Sequence, residues 1–201
     1  MTVLSCALCV TQCLLAIWVI ILVRKDSCKR RVGRFEKVSY DQFYSAMKEI
    51  FTTEYDEEII ETAYDSLTLP ERATGGSAGY DFKAPFTFTL EPGATLKIPT
   101  GIRVKIDNGW WLGCLPRSGL GFKYRLQLNN TMGVIDSDYY DSDNEGHIFA
   151  KVTNDSNEGK TFTVQAGDGF VQAIFLPYGI TYSDNASAVR NGGMGSTDTK
   201  K

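Results

Sequence analysis

The sequence predicts an all-β barrel or jelly roll with a helical pair set ahead of it. From Arg72 onward, apolar and polar residues alternate over short runs, as in Phe86-Thr87-Phe88-Thr89-Leu90 and Ile102-Arg103-Val104-Lys105-Ile106, and a period of two marks a half-buried strand. Gly-rich turns separate these runs, and no long helical pattern interrupts them. Before Arg72 the period is helical.

The helical pair is expected over residues 39–68. Ser39-Tyr40-Asp41-Gln42 reads as a capping box, with Ser39 at the N-cap and Gln42 three positions on. Tyr40, Phe43, Tyr44, Met47, Ile50 and Phe51 then recur at helical spacing. A second helix places Ile59, Ile60, Ala63, Tyr64 and Leu67 on one face, with Glu54, Glu57, Glu58 and Glu61 off it, and Pro70 stops it. No chemistry is legible in this pair, which is expected to pack on its own domain. A first strand is expected near Phe35 to Val38. The β domain runs from 69 to 182. Asn108-Gly109 reads as a type I′ hairpin turn into a strand over Trp110 to Leu115, and further strands fit His147–Thr153, Thr161–Val164 and Phe170–Leu176. The Gly-, Ser- and Thr-rich tail, 183–201, reads as a flexible arm.

Charge bounds the partners. A net charge of -3 over 201 residues lacks the basic excess of a nucleic-acid binder, so no nucleic acid is expected. The charge is uneven: Arg24 to Lys37 holds seven Lys/Arg against Asp26 and Glu36. Ahead of it, Thr2 to Val23 carries no charge and is mostly Leu, Ile, Val, Ala and Cys. About 20 apolar residues suffice to cross a bilayer core. The basic flank then puts the remaining chain in the cytoplasm, anchored to the inner face of the membrane by 1–23, with 24–38 as a juxtamembrane segment and first strand. A buried helix, or a stretch translated upstream of the true start, are the other readings of the run. Cys6, Cys9 and Cys13 fall within it, Cys28 follows it and Cys114 is distant, so the cysteines form no disulfide framework.

Five segments carry candidate chemistry. They are Ala78-Gly79-Tyr80-Asp81, then Pro116-Arg117-Ser118-Gly119-Leu120-Gly121, and then Asn130 with Gly133-Val134-Ile135-Asp136-Ser137-Asp138-Tyr139. Gly167-Asp168-Gly169-Phe170-Val171-Gln172 follows, and Arg190-Asn191-Gly192-Gly193-Met194-Gly195-Ser196-Thr197 closes the set. The second combines a cation, a hydroxyl and glycines whose backbone N–H groups can approach an anion, a phosphate cradle. The fifth repeats that combination, without the lysine or following helix of a Walker loop. Two cradles suit a polyphosphate, which brings Mg²⁺ held largely by substrate; Asp81 can hold a metal-bound water. His147 is the only histidine, which excludes a multi-imidazole zinc site and a Ser-His pair, and it reads as a strand residue. Without a nucleophile, direct attack by water is the economical chemistry, and Asp136, at a strand end, is the general base best held for it.

In type, order and spacing, these segments resemble the five motifs of the trimeric dUTPase family, over about Leu69 to Lys200. The resemblance implies a dUTPase-like β fold and hydrolysis of dUTP to dUMP and pyrophosphate with Mg²⁺, limiting uracil in DNA. It implies that Asp136 activates water against the α-phosphorus, that Tyr139 stacks under the deoxyribose and excludes a 2′-hydroxyl, and that Asn130 reads uracil. It implies too that the hairpin with Gly133, Val134 and Ile135 leaves no room for a 5-methyl group. Arg117, Ser118, Gly119 and Gln172 match phosphate contacts, Asp81 the aspartate near Mg²⁺, and Arg190, Gly195, Ser196 and Thr197 the arm that closes over the γ-phosphate. A homotrimer with intersubunit active sites is implied. Met194 stands where the family has an aromatic cover for uracil, Arg190 is about one residue nearer the glycines than in many members, and Tyr140 to Gly146 extends the hairpin with acids. A dCTP deaminase-related enzyme, and a dUTP-binding regulatory protein with weak or no catalysis, are the alternatives.

Overall fold

The computed structural model describes residues 30–51 and 55–192. Of two compact units, 1–32 and 33–201, the second holds all of the described secondary structure. The expected anchor, 1–23, lies outside the described residues; among those described, no helix is long and apolar enough to cross a membrane.

Strand β1 (Gly33–Lys37) opens the unit and leads into helix α1 (Tyr40–Phe51) and helix α2 (Glu57–Ser66). Both helices begin where short polar side chains replace missing backbone partners. Ser39 Oγ accepts from Gln42 N–H at 3.2 Å, and Asp56 accepts from Ile59 N–H at 3.0 Å. The reciprocal arm of the expected capping box does not come from Gln42: Ser39 N–H donates to the Glu145 carboxylate at 2.8 Å. Helix α2 ends at Ser66, before Pro70, and Ile59 stays 45% exposed, so the apolar face of α2 is narrower than its sequence pattern.

Beyond the pair lie β2 (Tyr80–Lys83), β3 (Phe88–Leu90), β4 (Thr95–Pro99), β5 (Ile102–Ile106), β6 (Trp110–Pro116), a short helix α3 (Ser118–Tyr124), β7 (Leu126–Leu128), β8 (Gly133–Ile135), a 3₁₀ turn (Ser137–Asp141), β9 (Phe149–Asn154), β10 (Phe162–Val164) and β11 (Gly169–Pro177). The described ladders are antiparallel and make four sheets, ordered β1-β5, β3-β10, β2-β11-β6-β8 and β4-β9-β7. The architecture is mostly β, but the described strands do not close into the expected barrel. Several strands are only three residues long, and β11 shifts register between Gly169 and Val171 as it pairs with β2; such an irregularity bends a strand and interrupts its ladder.

The expected β5–β6 hairpin is also corrected. Gly109 has φ +84° but Asn108 is not in the positive-φ region, and Trp110 N–H donates to Asp107 C=O at 3.2 Å. A type I′ turn needs positive φ at both central residues; a turn with it only at the second splays its strands. Accordingly β5 pairs with β1, and β6 with β11 and β8. His147 precedes β9 rather than lying in it.

The helical pair is part of the core. Phe43, Met47 and Phe51 of α1 and Ile60 and Ala63 of α2 are buried in one cluster with Phe82, Ile98, Val104, Leu112, Val152 and Phe170. Burying each large side chain contributes about 1.5–3 kcal/mol. Phe51 meets Phe86 edge-on with centroids 5.1 Å apart, and Tyr64 Oη donates to Val38 C=O at 2.7 Å. The pair closes over the β4–β5 turn at Gly101, where φ is +71° and a Cβ would collide with Leu67 Cδ1 and lie 3.2 Å from Phe43. Gly101→Ala is expected to lower unfolding free energy by about 2 kcal/mol or more, through backbone strain and overpacking together. Thermal unfolding against the wild type measures the loss.

Candidate active site

The site residues fall into two clefts. In the first, Asp81 on β2 is in register with Gln172 on β11, and Gln172 with Leu115 on β6. Arg117 leaves the end of β6, and its Nε lies 3.2 Å from Asp81 while Nη1 donates to Gly169 C=O at 3.1 Å. Gln172 Nε2 donates to Pro116 C=O at 3.0 Å. Ser118 and Gly119 open α3 and line the same cleft with Asp81, Arg117 and Gln172. Three segments far apart in sequence thus supply one guanidinium, two hydroxyls (Ser118 and Ser77), one amide and one carboxylate to a common opening. That donor set suits phosphate oxygens, with Asp81 the one hard carboxylate beside them.

The second cleft is a cavity of about 160 Å³ lined by Asn130, Gly133, Val134, Ile135 and Tyr139, with Arg190 at its edge and Phe82, Cys114, Phe149 and Val171 among its apolar walls. β8 lies against β6, pairing Gly133 with Cys114 and Ile135 with Leu112. The chain then leaves the sheet at Asp136 and turns through 3₁₀ geometry to Tyr139. No side-chain cap bond occupies the Asp136 carboxylate. Arg190 occupies it instead: Nη2 lies 2.5 Å from Asp136 Oδ2, and Nε 2.8 Å from Asp138. Asn191, with its amide turned so that nitrogen faces the acid, reaches both oxygens of Asp143 at 2.8 and 2.7 Å. Met194, Gly195, Ser196 and Thr197 lie outside the described residues.

Tyr139 is buried, its hydroxyl donating to His147 C=O at 2.8 Å and accepting from Asn144 Nδ2 at 2.8 Å. Burial pushes its phenol pKa up, against smaller opposing effects of Asn144 and Arg190. Desolvation pushes the Cys114 thiol to about 12, so Cys114 is a neutral wall and no nucleophile. His147 is fully buried, and its Nε2 accepts from Gly101 N–H at 2.8 Å. Burial lowers its pKa from 6.5 to about 3, so it is neutral and supports the site from behind.

Sequence reading missed the apolar walls Phe82, Cys114, Phe149 and Val171, although the alternation of β6 marks Cys114 as inward-facing. It also missed α3, whose two glycines mask a helical turn, and Asp138 as the second partner of Arg190.

A β protein with one polar cleft built around an Arg–Asp pair and one apolar, amide-edged cleft is of a class suited to a nucleoside polyphosphate. The dUTPase family profile matches residues 65–198. Curated proteins named deoxyuridine 5′-triphosphate nucleotidohydrolase are similar to this chain. That of Lactococcus lactis is 38% identical over 134 residues, 65% of this chain and 88% of that protein; that of Tolumonas auensis is 41% identical over 141 residues, 66% and 89%. Among solved structures, a dUTPase from Streptococcus mutans superposes with a TM-score of 0.53 at 32% identity, covering 73% of this chain and 97% of that one. The dUTPase of phage phi11 of S. aureus, described with a structural Mg(II) ion, shares the fold at 19% identity and a TM-score of 0.54, over 79% and 98% of the two chains. The chain belongs to the dUTPase family.

The buried imidazole makes stability depend on pH. Its folded pKa lies below the unfolded value, so its contribution is complete above about 6.5 and is lost as pH falls toward about 3. Within that window the unfolded state binds the extra proton, and unfolding free energy is expected to fall by up to about 1.4 kcal/mol per pH unit from this group. Urea midpoints between pH 7 and 4 measure the slope, which is expected to flatten in His147→Gln.

Proposed function

We propose that this chain hydrolyses dUTP to dUMP and pyrophosphate, with Asp136 as the base that draws a proton from the water attacking the α-phosphorus. The observation that carries the reading is the placement of Asp136: a carboxylate at the end of a short strand, directly after Ile135 and paired with Arg190, both of which line the second cleft. Relatives that bear the name of dUTP hydrolases, at 38% and 41% identity over most of their length, support the substrate. Removing dUTP in this way limits uracil in DNA and supplies dUMP.

Asn130 reads the uracil edge, and the hairpin Gly133, Val134 and Ile135 crowds its 5-position. Tyr139 forms the wall under the deoxyribose. Arg117, Ser118, Gly119 and Gln172 hold phosphate oxygens, and their cleft fits a Mg²⁺ carried by the triphosphate, with Asp81 contacting it through water. When bound, Mg²⁺ neutralises phosphate charge. The arm residues Arg190, Met194, Gly195, Ser196 and Thr197 close over the nucleotide. Arg190 rests on Asp136 and Asp138, and a triphosphate offers it a denser negative charge, which frees Asp136 for the water.

The two clefts support an intersubunit site in a homotrimer. Ile135 pairs with Leu112, so Asp136 leaves the sheet near the start of β6; from Leu112 to Arg117 is five residues of strand, about 17 Å. A base must reach its proton within hydrogen-bond distance, so the phosphates beside Asp136 are gripped by a neighbouring copy. The apolar run 2–23 and the basic segment behind it support a further element, attachment to the inner face of a membrane.

Asp136→Asn is expected to lower kcat by at least about 100-fold with KM little changed, read as pyrophosphate release from dUTP. Nucleotide binding by the wild type without pyrophosphate release identifies a regulatory protein instead, and ammonia from dCTP a deaminase. Mixing Asp136→Asn with Arg117→Ala chains, each nearly inactive, is expected to restore activity to about a quarter of the sites if the halves come from different subunits. Continued inactivity of refolded mixtures means that each chain builds its own site. Membrane fractionation of the full chain, beside a chain lacking 1–29, checks the attachment.

A further inference from the structure

Two parts of this chain that lie far apart in sequence meet at one side chain. Glu145, in the acidic extension after Tyr139, accepts from Ser39 N–H at 2.8 Å and from Ser39 Oγ–H at 2.6 Å, at the N-terminus of the 12-residue helix α1. Arg103 Nη1 lies 3.9 Å from the same carboxylate. The backbone of Glu145 is in the left-handed region at φ 57°, which a residue with a Cβ occupies only when its surroundings hold it there. The helix terminus supplies that hold, since it offers unpaired N–H groups and a partial positive charge to a carboxylate.

The clamp is tightly connected to Tyr139. Glu145 N–H donates to Ser142 C=O at 2.8 Å, and Ser142 N–H to Tyr139 C=O at 3.1 Å. Gly146, at φ +67°, packs so closely on this turn that a Cβ there would lie 2.8 Å from Tyr139 O and 2.7 Å from Tyr140 Cα. The two residues that hold the Tyr139 hydroxyl, Asn144 and His147, flank the Glu145–Gly146 pair on either side. Arg103 fixes the other flank, donating to Tyr140 C=O at 2.9 Å with its guanidinium 3.6 Å from the centre of the Tyr140 ring.

We infer that Glu145 is a positioning residue for Tyr139: fastened to the N-terminus of α1, its carboxylate fixes the turn that aims the tyrosine into the nucleotide cleft. The helical pair thereby acts on substrate discrimination without touching substrate. The inference rests on the reading of Tyr139 as the wall that excludes a 2′-hydroxyl.

The test compares the full-length wild type, Glu145→Ala and Glu145→Gln, all well below their unfolding temperatures. It measures kcat/KM for dUTP and for UTP, together with amide hydrogen exchange across Tyr139 to His147 and across the first turn of α1. Glu145→Ala is expected to reduce the preference for dUTP over UTP roughly tenfold, as small displacements of a positioning wall do. Glu145→Gln, which keeps an oxygen for Ser39, is expected to stay near the wild type. An unchanged preference in Glu145→Ala, even with lowered thermal stability, overturns the inference and leaves Glu145 as a helix cap only. If the wild type itself does not turn over dUTP, the functional reading fails separately, and exchange decides: faster exchange at Tyr139, Ser142, Glu145 and His147 supports the positioning role, whereas loss confined to the first turn of α1 overturns it.

Discussion

The pairing of β6 on both of its edges is the constraint on which both clefts depend. On one side β11 takes a seven-residue register, from Val171 against Pro116 to Pro177 against Trp110; on the other, β8 takes three positions, from Gly133 against Cys114 to Ile135 against Leu112. Leu112 and Cys114 point inward and are buried. A slip of one residue would turn both outward and carry every partner with them, so burial fixes the register. That register sets Gln172 against Leu115, two residues before Arg117 at one end of the strand, and places Asp136 near the other end, while the β11–β2 ladder brings Asp81 beside Gln172.

Buried walls and exposed carboxylates treat charge differently. Around Tyr139, Cys114 and His147, polar groups are kept neutral by burial, and the Tyr139 hydroxyl and the imidazole Nε2 are paired. This gives a rigid apolar slot with few polar atoms, suited to selecting a base and a sugar by shape. Asp136, Asp138 and Asp81 instead sit at partly exposed rims where arginines pair with them. Such pairs are weak while solvent reaches them, which suits groups that exchange partners when a polyanion arrives. Within the second cleft the two are layered, with neutral buried groups as walls and the Arg190 ion pairs at the partly exposed Asp136 and Asp138.

Much of this was legible in the sequence because it is local. The N-cap of α1 at Ser39, the bounds of β5 and the strand end before Asp136 follow from side-chain type and period over a few residues. The five segments predicted a split polyphosphate site, and their likeness to one family gave each residue a role. What was not legible depends on distant parts of the chain. Asn108-Gly109 looks like a hairpin, but the turn is decided by one φ angle and by which strands compete for β6. Glycines hid α3, whose exposed residues such as Phe122 give no amphipathic pattern. Ile59 fits the helical stripe by spacing, yet it stays exposed while Ile60 and Ala63 are buried and Tyr64 packs against the core.

The acidic extension shows how two irregular pieces of chain can stabilise each other. A helix start leaves backbone N–H groups unpaired, and Ser39 with Gln42 satisfies only part of that need. A loop with consecutive positive-φ residues, Glu145 and Gly146, has no regular ladder of its own to hold it. Joined, the Glu145 carboxylate completes the cap, and the helix terminus in turn holds the loop. Several effects act on that carboxylate: burial raises its pKa, while the Ser39 bonds and the positive charge of Arg103 lower it, and the net shift is downward, toward the charged form that caps best. Any coupling of this kind is reciprocal. A change that loosens α1 must loosen the loop behind Tyr139 by the same free energy with which loosening the loop frays α1, although the two contacts are separated by 106 positions in the chain.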